Sequence, residues 1–243
     1  DALGGAVNII TKAEKENFLD ASYSIGSFHT HSADLNAQFV EQRTGLIVRP
    51  TVGINYSKND YRMKDVQMRN ETGDRFINGN PKRFHDGYFS LLAQIEAGIV
   101  GKFWVDELFV SASYSKTDKE LQTGSVQTKV YGMAERNSDA WNVSARYNKR
   151  NFLTENMTLK ATLSHTWDHS ITVDTAYRKY YWDGGYIVSQ RNEIRGGEPT
   201  MRHYKRPLTI VRANLDYQLN EHHGFNLSYN LSRTGNDRYD DLD

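Results

Sequence analysis

Apolar and polar side chains alternate along this chain with a period of two, and the pattern returns from one end to the other. Leu19, Ala21, Tyr23 and Ile25 are separated by Asp20, Ser22 and Ser24, and Ala33, Leu35, Ala37 and Phe39 by Asp34, Asn36 and Gln38. Val48, Val52, Ile54 and Tyr56 share a face opposite Arg49, Thr51, Asn55 and Ser57. Pro50 interrupts that stretch, because it has no N–H to give to a ladder. Four-member sets recur at Leu108, Val110, Ala112 and Tyr114, at Trp141, Val143, Ala145 and Tyr147, and at Val211, Ala213, Leu215 and Tyr217. Leu159, Ala161 and Leu163 form another set, and Phe225, Leu227, Tyr229 and Leu231 the last. Helical spacing at i, i+3 and i+4 hardly appears. With a less regular stretch at about 86–97, the pattern predicts roughly nine strands, each with one greasy and one wet side.

Such strands suit either a soluble sandwich or a membrane barrel. Two features favour the barrel. The wet side is polar throughout, whereas the greasy side is modest and often only alanine, which satisfies lipid without interdigitating with a second sheet. Aromatics also gather near strand ends, with Tyr23, Tyr56, Tyr114 and Trp141 at one kind of end and Phe39, Tyr147, Tyr217 and Phe225 at the other. An amphipathic ring is favoured where hydrocarbon meets headgroup, so this is the distribution of two membrane-interface girdles. It accounts for a chain that is 12% aromatic yet only 38% hydrophobic.

The connections alternate as well. Short links fall near 43–45, 100–106, 150–155 and 220–223, and long ones near 58–84, 117–138 and 169–206. The first hairpin, around 27–31, breaks the rule. Outer-membrane barrels have short periplasmic turns and longer extracellular loops in this order. The expected architecture is therefore an all-β, antiparallel transmembrane barrel.

Composition removes several classes of function. The 30 basic and 30 acidic side chains balance, which gives no support for nucleic-acid binding. There is no cysteine, hence no disulfide framework, thiolate metal site or cysteine nucleophile. No apolar run approaches the roughly 18–20 residues of a spanning helix. No Gly-x-Ser-x-Gly elbow, phosphate-binding glycine loop or HExxH motif occurs, so no catalytic residue is assigned and the chain does not read as an enzyme.

Local candidates were weighed singly. His29 and His31, two apart in an extended segment, would share one side and could ligate a metal or haem iron, but the segment supplies no further ligand. A polar hairpin is the simpler account. His222 and His223 fall in a predicted solvated turn, and His165 lies on the greasy face near Trp167 without a serine partner. Asp237, Asp240, Asp241 and Asp243 lack the glycine and closing glutamate of a calcium loop and read as a solvated loop. No metal site or cofactor is predicted. The segment 171–205 carries the strongest binding signal, with Tyr177, Arg178, Tyr180, Tyr181, Trp182, Tyr186, Arg191 and Arg195. Aromatics beside arginines suit a planar, anionic ligand through stacking and charge-assisted hydrogen bonds. The alternative is that large loops use these residues to pack on one another.

The opening dodecamer, DALGGAVNIITK, precedes the first alternating stretch, and one reading of it is an ordinary first strand of a β domain. Its glycines permit positive φ and close backbone approach, and Val7, Ile9 and Ile10 suit a buried strand. The stretch GGAVNIITK, with Gly4, Gly5, Asn8 and Lys12, resembles the end of the plug domain in TonB-dependent outer-membrane receptors, just before the first barrel strand. The resemblance implies the end of a plug over 1–12, followed over 13–243 by roughly the first nine strands of a 22-stranded barrel. It further implies a fragment of a longer chain in the Gram-negative outer membrane, with lipid, TonB (acting through the plug) and a small-molecule ligand as partners. The implied function is active import of a scarce nutrient. A ferric siderophore leads, and haem, cobalamin and sugar are also compatible. Two other readings are a channel or adhesin barrel without TonB, and a soluble β-sheet interaction module.

Overall fold

The computed structural model describes residues 16–69 and 76–243. The dodecamer with Gly4, Gly5, Asn8 and Lys12 lies outside the described residues, and with it the expected plug end. Among the described residues there is no helix.

The alternating stretches become long strands. They are β1 (Phe18–Gly26), β2 (Thr30–Glu41), β3 (Leu46–Ser57), β4 (Val66–Arg69), β5 (Phe76–Gly79), β6 (Tyr88–Lys102), β7 (Val105–Glu120) and β8 (Glu135–Arg150). There follow β9 (Met157–Asp174), β10 (Arg178–Tyr180), β11 (Tyr186–Val188), β12 (Thr200–Lys205), β13 (Leu208–Gln218), β14 (Gly224–Thr234) and β15 (Asp237–Asp240). Eleven strands build one antiparallel sheet in the order β1-β2-β3-β6-β7-β8-β9, after which β12 and β13 share the far edge of β9 and pair with β15 and β14. The hairpins β4–β5 and β10–β11 stand apart from it.

Two of the long strands are interrupted at matched positions. Pro207, which cannot donate to a ladder, separates β12 from β13. Opposite it, Gly235 separates β14 from β15 and donates its N–H to the Pro207 carbonyl at 2.8 Å. A Cβ on Gly235 would stand 2.8 Å from the proline ring, so only glycine fits that crossing. Joined across these breaks, the eleven strands are nine long staves, in line with the alternation. The acidic run expected to be loop is instead β15, because Asp237, Arg238, Tyr239 and Asp240 pair with β12. Strands also run further than the alternation suggested. β9 reaches Asp174 and β8 begins at Glu135, since the ladder between them continues through Glu135↔Val173 beyond the alternating stretch.

The sheet is open. β1 and β14 lie at its two edges, and these residues do not close into a barrel.

Register gathers the apolar side chains on one face. Val48, Ala97, Val110, Ala145, Leu163, Val211 and Leu231 form a single cross-strand row. No second layer covers this face among the described residues: Leu19, Ile25, Ile95, Val110, Leu163 and Leu227 are all exposed. The patch is also oblique. On β1 it comprises Leu19, Ala21, Tyr23 and Ile25, and on β14 Phe225, Leu227, Tyr229 and Leu231, four positions in each case. Following the hydrogen-bonded rows from β1, the β14 set lies eight residues lower after eight strand steps. A drop of one residue, about 3.4 Å, per strand spacing of about 4.8 Å means the strands lean by about 35° from the normal to the apolar band.

Aromatics mark both limits of the band. Tyr114 and Trp141 meet at 4.8 Å with tilted rings and Trp141 pairs with Trp167, while Tyr23 and Tyr56 flank His31 at the same end of this face, near its β1 edge. Tyr217 pairs with Phe225 at the opposite end, where the Tyr147 hydroxyl donates to the Trp104 carbonyl at 3.0 Å.

The other face is not polar throughout. Phe109 points into it and is only 2% exposed. Its ring lies between the guanidinium groups of Arg49 and Arg146, at 4.8 and 5.1 Å. Glu96 ties both arginines, at 2.8 and 3.6 Å, and Gln38 accepts from Arg49 at 2.7 Å. Each cation–π contact contributes about 0.5–2 kcal/mol, depending on desolvation. Ile47 and Val100 pack against the ring, which settles over Gly98 on the neighbouring strand. A Cβ at Gly98 would meet the Phe109 ring at 2.2 Å and the Leu108 carbonyl oxygen at 2.5 Å. Gly98→Val is therefore expected to lower stability by at least the roughly 1–3 kcal/mol of ordinary overpacking. Urea unfolding of the full protein in detergent checks this, and an unchanged midpoint would contradict the packing.

Candidate functional site

Antiparallel order puts the turns 42–45, 103–104, 151–156 and 219–223 at one end of the sheet. The three long loops, 58–87, 121–134 and 175–199, rise together at the other, beside the short 27–29 turn. A polar wall with all its large loops at one end makes that end the candidate site.

The loops cohere through a small core of Met63, Val66, Val130, Tyr180 and Trp182, with one or more residues from each loop. The Trp182 indole N–H donates to the Gln127 carbonyl at 3.0 Å, and the Tyr180 ring covers Gly132, where a Cβ would be 2.5 Å from it. Of the loop residues singled out from the sequence, Tyr180 and Trp182 thus face inward and hold loops together. Tyr177, Tyr186, Arg191 and Arg195 are exposed, and Tyr181 and Arg178 are half-buried. Tyr177 hydrogen-bonds Glu198, and the Arg178 guanidinium lies 4.2 Å from the centre of the Tyr186 ring.

Two buried carboxylates that sequence reasoning missed fasten the loops to the wall. Asp174, at the end of β9, accepts the N–H groups of Glu193 at 2.8 Å, Ile194 at 3.0 Å and Arg195 at 3.4 Å. Glu193 in turn accepts, through Oε2 alone, the N–H groups of Gly132, Met133 and Ala134 at 3.2, 3.1 and 2.9 Å. Its Oε1 is buried without a hydrogen-bond partner. Burial pushes the Glu193 carboxyl above its usual range, the three amides oppose this, and neighbouring Asp174 adds to the rise. The local signal was the turn after it: Asn192 and Gly197 close on each other through two 2.9 Å bonds, with Gly196 at φ 73°. Gln122, buried between loops, accepts from the Phe84 and His85 amides and donates to the Tyr131 carbonyl.

A hollow of about 750 Å³ at this end is lined by charges that neutralise one another. Lys82 pairs with Asp60 at 2.8 Å and Lys116 with Asp118 at 2.9 Å, while Lys119 reaches Asp86 at 2.6 Å. Lys82 sits first among the influences holding the Asp60 carboxyl below its usual range.

The histidines separate from one another. His29 has a left-handed backbone, φ 56°, in the first turn, whereas His31 belongs to β2 and bonds Tyr23 at 2.7 Å. They therefore do not share one side of an extended segment. His222 and His223 lie in a short turn, where both amides donate to Asn220 at 2.9 Å. His165 stays on the apolar face, bonded to Thr209 at 2.8 Å and edge-on to Trp167 at 4.3 Å. Two others meet across β9 and β12: His169 and His203 are linked at 2.9 Å and flanked by Asp139 at 3.2 Å and Asp241 at 3.0 Å. Among the described residues no group of three His, Asp or Glu side chains stands close enough to hold a metal ion.

Removing the Glu193 carboxylate by Glu193→Ala leaves three backbone donors without their acceptor, at a cost of about 1–3 kcal/mol each where buried. Loop 121–134 is then expected to become sensitive to protease, while Glu193→Gln keeps an acceptor and protects it. A carboxyl raised by burial contributes most below its unfolded pKa and loses that contribution as pH rises through the folded one. Wild type and Glu193→Gln should therefore resist protease alike in mild acid and diverge towards neutrality, with the glutamine variant the better protected. A Glu193→Ala loop as resistant as wild type would contradict the latch.

No protein-family model matches the chain, and comparison with curated proteins gives no match.

Proposed function

We propose that this chain forms part of the wall and loop cap of an outer-membrane transport barrel of the TonB-dependent kind, importing a scarce nutrient. The observation that carries the reading is the oblique, uncovered apolar band. A strand lean of about 35° falls at the edge of the 35–45° of transmembrane barrels. On β9 the band runs from Leu159 to Trp167, eight residue steps or about 27 Å along the strand. Leaning, it projects to roughly 20 Å, close to the ~25 Å apolar belt of such barrels. A soluble interaction module would have to cover this surface, and among the described residues nothing does.

The remaining parts of the proposal follow from the two ends. Short turns face the periplasm and the three long loops face outward. The exposed Tyr177, Tyr186, Arg191 and Arg195, with the half-buried Arg178, present aromatic and cationic groups to an incoming anionic solute, a ferric siderophore before haem, a vitamin or a sugar. No residue of this chain acts as a catalyst in this scheme. Opening of the path is the work of TonB on the plug, and the family resemblance of GGAVNIITK is its basis.

Single-tryptophan variants of the full protein, reconstituted in vesicles of brominated phosphatidylcholine, test the wall. Fluorescence of Trp141 and Trp167 is expected to be strongly quenched, and that of Trp182, buried among the loops, to be unaffected. Unquenched Trp141 and Trp167, in a protein that stays dispersed without detergent, would end the proposal.

A further inference from the structure

On the polar face, directly beneath the 192–197 turn, three arginines surround a small recess of about 90 Å³. Two of them are placed by register: Arg136 on β8, Thr172 on β9 and Arg202 on β12 stand in one cross-strand row. The third, Arg195, is brought over the row by the Asp174 carboxylate, which takes its backbone N–H along with those of Glu193 and Ile194. Tyr204, Thr200, Ile194 and Asp174 itself complete the lining.

The carboxylates nearby are already committed. Asp174 is 2% exposed and spends both oxygens on three backbone amides. Asp240 pairs with Arg202 at 3.5 Å and accepts the Met201 N–H at 2.7 Å. Among the described residues the guanidinium groups of Arg136 and Arg195 have neither an ion-pair nor a hydrogen-bond partner. In the far larger hollow of the same end, cations are paired within the protein. Unspent forked donors around a space for one compact group are what a carboxylate, phosphate or sulfate requires.

We propose that Arg136, Arg195 and Arg202 form a binding site for one oxyanion, which selects an anionic group on the solute taken up. This rests on the transport reading, and it narrows that reading to solutes carrying a carboxylate, phosphate or sulfate. Arg136 and Arg202 flank Thr172 in the row, Arg195 comes from the 192–197 turn, and Arg136 and Arg195 supply the bidentate donors. Arg202, held by Asp240, fixes the floor. A neutral sugar finds no matching acceptors here and is not retained.

The test uses the full protein in detergent at low ionic strength, with citrate, inorganic phosphate, sulfate and glucose as probes in titration calorimetry. At least one of the three oxyanions is expected to bind wild type, and glucose is not. Arg136→Gln and Arg195→Gln are each expected to weaken that binding at least tenfold, and Arg136→Lys to weaken it less. Both residues are exposed and unpaired, so these variants should fold, and an unchanged thermal midpoint verifies it. Arg212→Gln, an exposed polar-face cation on β13 outside the recess, should leave binding intact. Binding of no oxyanion, wild-type binding by the two glutamine variants, or equal loss with Arg212→Gln would each overturn the site. Quenching of Trp141 and Trp167, measured after reconstitution of the protein in vesicles of brominated phosphatidylcholine, separates failure of this site from failure of the transport reading.

Discussion

The lateral hydrogen bonding of the large antiparallel sheet is the constraint on which everything else depends. Once nine staves are joined edge to edge, every side chain is assigned to one of two faces, and a slip of one residue would exchange them. One face then displays an apolar patch continuous across the whole sheet. Monomeric soluble proteins rarely leave such an area uncovered. The patch crosses the rows obliquely, lying eight residues lower on β14 than on β1. A slab of hydrocarbon cutting leaning strands would leave such an oblique band.

The loop end obeys a different physics. There is too little apolar surface among Met63, Val66, Val130, Tyr180 and Trp182 to hold three long loops, so polar groups do much of the fastening. Asp174 and Glu193 act as acceptors for six backbone amides between them. Such amides would otherwise be buried without partners, which is why two carboxylates can be taken out of water in this place. The same latch positions Arg195, so loop cohesion and the cationic recess are one construction.

The polar face divides its charges into spent and unspent. Near the short turns, Arg49, Glu96 and Arg146 satisfy one another around Phe109 and make a rigid platform. Near the loops, Arg136 and Arg195 are left with donors to offer. The contrast lies along a single surface, which gives that surface a structural end and a receptive end.

The nine long staves, the division into two faces and the separation of short from long connections were legible in the sequence, because a period of two is a local property and Gly, Pro and Asn mark its ends. The short hairpins β4–β5 and β10–β11 were not. Phe109 was passed over because its direction is fixed by its own strand but its tolerance depends on Gly98 across the ladder. β15 was missed because Asp-rich residues form a strand only when β12 offers them partners. Tyr180 and Trp182 could not be told from exposed neighbours such as Tyr177, since burial in a loop is decided by other loops. Arg136, Arg195 and Arg202 lie far apart in the chain, and only the register of β8, β9 and β12, together with the carboxylate of Asp174, brings them around one recess. Alternation is written residue by residue; convergence is written by pairing between distant strands, and that exists only once the chain has folded.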